Sequence, residues 1–149
     1  MDLTQIIDQL YAAFSGRTRP EHFTNFRHCP ECERFDSEIR ASELRAFGKD
    51  HTRKNAKELI CFLTPEAYAH LLPRLLEMAL CCETDGKDEP VIDTVLFTLS
   101  PESLRDRISG YRSAEIAAVV SALDVIYAGP EHYDFNTKLL QEVILYWSV

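Results

Sequence analysis

Glycine is scarce, five residues in 149, and none of the five falls in a G-x-G-x-x-G or G-x-x-x-x-G-K run, so a phosphate-cradling loop is excluded. No serine occupies a G-x-S-x-G elbow. No apolar run approaches the roughly 18 residues that span a bilayer, which excludes a simple membrane helix. There is no sequence repeat of fixed period and no low-complexity segment, so neither a solenoid nor a two-domain chain with a linker is expected. The opening MDLTQIIDQL carries an acid at its second residue and no basic segment, and a cytosolic protein is expected.

Positive charge is also in short supply. Sixteen Lys and Arg face 24 Asp and Glu, a net charge of -8, so nucleic-acid backbones and anionic membranes should repel the molecule. Residues 1 to 54 hold nine basic and nine acidic side chains, and residues 55 to 149 hold seven and fifteen. The whole excess therefore lies in the second part. A chain with 46% apolar residues at this length should bury roughly 70% of its unfolded surface, so it needs no disulfide or metal merely to fold. Its five cysteines, in a chain without a secretory signal, read as thiols.

What is present is helical periodicity. Leu3, Ile6, Ile7, Leu10, Tyr11 and Phe14 lie on one face behind Asp2 as N-cap, with Gly16 as the stop. Pro30 opens a second helix whose inner face is Phe35, Ile39, Leu44 and Phe47, ending at Gly48, and whose outer face is a mixed-charge stripe. A short helix over Asn55 to Phe62 leads into Thr64-Pro65-Glu66, the clearest helix start in the chain. The following helix carries Pro73 in its middle and should kink or break near residues 70 to 73. Val91 to Leu99 fits a helix. Ser100-Pro101-Glu102 repeats the cap signal, Ser113 is expected to cap the next helix, and a last helix runs from about Glu131 to Trp147, with Tyr133 in its core face. The expectation is an all-α single domain, residues 1 to 149, of six or seven helices. Tyr146 and Trp147 are the aromatics least certain to be covered.

Reactive side chains cluster once, at His28-Cys29-Pro30-Glu31-Cys32. Cys-x-x-Cys brings two thiolates within reach of one ion, with His28, and more remotely His22 or His51, as nitrogen donors for zinc. Zinc is the one cofactor these residues leave open. A second short-spaced pair is missing, since Cys61 stands alone and Cys81 and Cys82 are adjacent. The same residues also read as a dithiol, because Cys29 just before a helix, next to Arg27, should be stabilised as thiolate. Against a thiol oxidoreductase stands the absence of the parallel sheet that usually surrounds Cys-Pro-x-Cys. His70 and His132 are isolated and read as structural.

The segment Glu83 to Pro90 is the strongest loop signal in the chain, and it does not fit an EF-hand. With Asp93 it gathers Glu83, Asp85, Asp88, Glu89 and Asp93 around Lys87, and a loop of this kind should turn all five outward. No catalytic set assembles. The leading expectation is therefore a cytosolic binding protein of the immunity or inhibitor type, blocking a basic partner such as a toxin domain through these five acids. A zinc-binding regulatory or enzymatic protein centred on Cys29, Cys32 and His28 is the alternative, and a thiol oxidoreductase the second.

Cys61 to Leu76, reading CFLTPEAYAHLLPRLL, together with His28, Cys29 and Cys32, resembles a family of small uncharacterised bacterial proteins. In that family a histidine-cysteine pair opens Cys-x-x-Cys, followed by Phe-Leu-Thr-Pro-Glu and a helix interrupted at Leu-Pro. The later Leu99-Ser100-Pro101-Glu102 is a looser match, and the resemblance covers about two-thirds of the chain. It implies no assigned reaction. Where the family carries aromatics before its Leu-Pro, this chain has His70-Leu71-Leu72.

Overall fold

Asp2 accepts the Gln5 N–H at 2.8 Å while the Gln5 side chain accepts the Asp2 N–H at 2.9 Å, a reciprocal cap that fixes the start of α1 (Leu3–Ala13). In this computed structural model, which describes residues 2–129 and 135–148, seven more helices follow. They are α2 (Pro30–Arg40), α3 (Ala56–Cys61), α4 (Pro65–Leu80), α5 (Ile92–Leu99), α6 (Pro101–Leu104), α7 (Ser113–Ala128) and α8 (Thr137–Trp147). Among the described residues there is no strand, only single bridges between Thr24 and Leu63 and between Thr84 and Pro90. The fold is all-α.

Helix α4 is the axis of the molecule. Twelve of its sixteen residues are buried, because it is apolar on nearly every side and must be enclosed by other helices. It packs against α1, α5 and α7; α7 in turn carries α8, and α5 touches α3, α6 and α8. One apolar cluster runs from Ile6 on α1 to Trp147 on α8. Pro73 does not end α4, which stays helical from Pro65 to Leu80; lacking an N–H, it leaves out one bond of the ladder there. Thr64 caps it as expected, its hydroxyl oxygen accepting the Ala67 N–H at 3.2 Å.

Several boundaries differ from the sequence reading, each for a nameable reason. Helix α2 stops at Arg40 rather than Gly48, because the Arg19 guanidinium donates to the carbonyls of Arg40 and Ser42 at 3.0 and 2.9 Å and so satisfies the helix end. Leu44 then lies in a 3-10 turn (Leu44–Ala46), while Phe47 still reaches the core. Gly48 has φ +81, and a Cβ there would meet Met78 Cε at 2.5 Å. The cap of α7 is not Ser113: the Glu115 carboxylate reaches back to accept the Arg112 N–H at 2.8 Å. Ser100 donates to the Phe97 carbonyl instead of capping α6, which lasts one turn. Asn136 caps α8 through the Leu139 N–H, and the expected earlier start at Glu131, with Tyr133, lies outside the described residues.

Trp147 is 1% exposed, so it forms no surface patch; its indole N–H donates to the Leu99 carbonyl at 2.9 Å and its ring meets Tyr111 edge-on. Tyr146 also packs against the core. Two arginines anchor ion pairs against the core. Arg17 forks onto Glu115 through two 2.8 Å bonds, and Arg74, fully buried, bonds to Glu77, Glu83 and the Phe47 carbonyl.

Candidate functional site

The site begins with the N-terminus of α2. Pro30 suits the first helical position because its missing N–H would be unpaired there, and that places Cys29 at the cap and Cys32 in the first turn. Cys29 Sγ accepts the Cys32 N–H at 3.3 Å, replacing the hydroxyl or carboxylate that usually caps a helix. The two sulfurs lie 3.1 Å apart, and His28 Nδ1 is 3.9 Å from Cys32 Sγ. One donor atom from each of His28, Cys29 and Cys32 falls within 4.8 Å of the others. His28 is exposed, Cys29 half-buried and Cys32 buried.

The sulfurs are unlike. The Cys29 thiol is pushed down to about 7, first by the hydrogen bond shared with Cys32, then by the Cys32 N–H and the His28 ring. Cys32 is pushed up by that same bond, by burial and by the charge on Cys29. Arg27, expected to help hold the thiolate, instead lies over the Phe26 ring at 5.2 Å. The dipole and amides of the helix start supply what the arginine does not.

Behind the thiols is a support that pattern reading missed. Asp36, one turn further along the inner face of α2 and 3% exposed, accepts the backbone N–H groups of Phe23 and Thr24 at 2.6 and 3.2 Å. Thr24 donates its hydroxyl to the Cys32 carbonyl at 2.6 Å. The loop before α2 is thereby fastened to the helix that carries both cysteines. Asp36 also pairs with His22 Nδ1 at 2.8 Å, and His22 stacks on Phe26. His22 is thus spoken for, as is His51, whose Nε2 bonds the Glu38 carbonyl at 2.8 Å. Neither joins the cluster, so of the three candidate nitrogen donors His28 alone is in place. His70, read as structural, has its Nε2 buried without a partner, while His132 lies outside the described residues.

The arrangement is compatible with a metal. Tetrahedral zinc, with bonds of about 2.3 Å to sulfur and about 2.0 Å to nitrogen, sets its sulfurs about 3.8 Å apart and sulfur and nitrogen about 3.5 Å apart. The distances of 3.1 and 3.9 Å are each within a side-chain adjustment of those values. The three residues could hold a metal ion. They lie outside the cavity of about 390 Å³ that is lined by Arg17, Tyr68, Thr98, Arg107 and Tyr111, among others.

The acidic loop departs from expectation. Of the five, Asp88, Glu89 and Asp93 are exposed; Asp88 and Glu89, at 90% and 58% of the side chain, each have a cation nearby, Arg53 at 3.5 Å and Lys57 at 3.1 Å. Glu83 turns inward onto Arg74 at 2.7 Å. Asp85, 4% exposed, accepts the Lys87 and Glu89 N–H groups at 2.8 and 3.0 Å and so organises the loop from within. Asp93 accepts the Asn136 N–H at 2.9 Å. The loop presses against Lys54 so closely that a Cβ on Gly86 would meet the Lys54 Cα at 2.7 Å. Unpaired amides and a buried guanidinium recruit carboxylates that composition alone would send to solvent.

Three carboxylates held by hydrogen bonds, Glu115, Asp85 and Asp50, make stability depend on pH. Burial pushes Glu115, Asp85 and Asp50 up, but hydrogen bonds from Arg17 and Arg112, from the loop amides, and from Thr52 and Ser42 overrule it and leave all three below their ordinary values. Their unfolded values are about 4, so this stability is fully present above roughly pH 5 and is lost as acid carries the pH down through the lowered folded values. Urea midpoints should accordingly be level near neutrality and fall below about pH 4.5; a midpoint that stays level or rises in acid would contradict these assignments.

The model of a family described as "Family of unknown function (DUF6714)" matches residues 2–149. No curated protein and no solved structure matches the chain.

Proposed function

The chain belongs to this family of unknown function, which lends it no activity, and from the geometry of its own residues we propose that it is a zinc-binding protein holding one ion through Cys29, Cys32 and His28. One observation carries the reading: two sulfurs and an imidazole nitrogen lie within 4.8 Å at a helix start whose amides already favour a thiolate. The donor set is soft and nitrogenous, which suits zinc over magnesium or calcium. Asp36 and Thr24 position the cysteine turn without touching the ion, as the outer partners of a metal site do. With three protein donors and an open position, the ion has room for water or for a donor from a second molecule.

Support for the inhibitor reading is thinner by comparison. Of its five acids, Asp88, Glu89 and Asp93 are exposed to a basic partner, and Glu83 and Asp85 serve the fold.

Zinc per chain, measured on purified protein by elemental analysis, tests the proposal. The expected result is one equivalent, lost when Cys29→Ser and Cys32→Ser are combined while the circular dichroism remains helical. Folded wild-type protein that stays free of zinc after incubation with a molar excess and gel filtration would overturn it.

A further inference from the structure

We propose that Cys29 and Cys32 are also a peroxide-reactive dithiol, in which a hydroperoxide oxidises Cys29 and Cys32 closes the disulfide. The inference rests on the same site as the zinc reading but not on the ion being there. Its basis is an asymmetry of access. Cys29 is half-buried at the helix cap, where an oxidant in solution reaches it, and Cys32 is 5% exposed, where it does not. The sulfurs are 3.1 Å apart, so a disulfide of about 2.05 Å needs a closure of roughly 1 Å, which rotation about the two Cα–Cβ bonds, three residues apart at the helix start, can supply.

The chemistry balances. The Cys29 sulfur, as thiolate, attacks one oxygen of hydrogen peroxide; the O–O bond breaks, a sulfenic acid forms, and hydroxide leaves to become water with the proton the thiol gave up. The Cys32 sulfur then attacks the Cys29 sulfur and displaces its hydroxyl, which leaves as a second water with the Cys32 proton. Two thiols lose two electrons and the peroxide gains them. Because both sulfurs are consumed, the disulfide and a bound zinc exclude one another, and oxidation releases any ion held between them.

Cys61, Cys81 and Cys82 are internal controls: all three are more exposed than either member of the pair, so a disulfide formed at Cys29 and Cys32 ahead of their oxidation follows the 3.1 Å approach of the two sulfurs and not exposure. The experiment exposes reduced protein to hydrogen peroxide, once after chelator treatment and once after zinc loading. Remaining thiols are then alkylated and mapped by peptide mass spectrometry. The expected result is a peptide containing Cys29 and Cys32 that is lighter by two hydrogen atoms and resists alkylation while the other three cysteines still react. In the loaded sample, zinc should appear in solution in step with that peptide. The Cys32→Ser variant should stop at a Cys29 sulfenic acid that dimedone captures. In Cys29→Ser, oxidation of Cys32 should be lost. The proposal is overturned if Cys29 and Cys32 stay alkylatable while Cys81 oxidises, or if wild-type Cys29 proceeds to sulfinic acid without a disulfide. A disulfide formed in a protein that takes up no zinc supports this inference and sinks the metal reading alone.

Discussion

Replacing Arg74 with alanine is expected to cost about 3–5 kcal/mol of folding stability, the range found when one member of a buried ion pair is removed. The guanidinium is fully buried and bonds to the Phe47 carbonyl, to Glu77 and to Glu83 at 2.7 to 2.8 Å. Taking it away leaves an enclosed carbonyl without a donor and two carboxylates facing each other. Those carboxylates are 16% and 22% exposed, so water offsets part of the loss and the lower end of the range is expected. The Tyr11 hydroxyl, which donates to Glu77 at 2.7 Å, ties α1 into the same knot. For a chain of this size the melting temperature should fall by roughly 10 °C. Adding Glu83→Gln should restore part of the loss by removing one stranded charge; a single variant that melts within 2 °C of the wild type would remove this cluster from the account of stability.

Trp147→Ala should be of similar size, about 3–5 kcal/mol, through the cavity it opens and the donor it removes from the Leu99 carbonyl. The ring is 1% exposed and packs edge-on to Tyr111 at 5.2 Å, which in turn sits beneath the Arg17 guanidinium at 5.0 Å. The loss therefore reaches from α8 through α5 to the first loop. Trp147 is the chain's one tryptophan, so its emission should be that of an enclosed indole and should shift to the red on unfolding together with the loss of helical dichroism. Emission typical of a water-exposed indole in the folded protein would contradict the packing.

Much of this fold was readable because its signals are local. Asp2, Thr64 with Pro65, and Pro30 each announce a helix within a few residues, and each helix starts there. The end of α2 was not readable, since it is set by Arg19, twenty-one residues before the carbonyl that it satisfies. Nor was the inward turn of Glu83, whose partner Arg74 is identifiable as buried only after α4 is known to be enclosed on all sides. The same division holds at the site. His28, Cys29 and Cys32 are neighbours in sequence and were found together, whereas Asp36 enters the support of the cysteine turn only because the preceding loop folds back across α2. Charge counting failed most clearly at Asp85, because a carboxylate beside unpaired amides is worth more to the fold inside than out.

Zinc K-edge absorption on the zinc-loaded protein asks the central question most directly. Two sulfur neighbours at about 2.3 Å and at least one imidazole nitrogen at about 2.0 Å are expected, the nitrogen disappearing in His28→Ala and both sulfurs in the double serine variant. A shell of oxygen and nitrogen alone, unchanged by those substitutions, would place any bound zinc elsewhere and contradict that expectation.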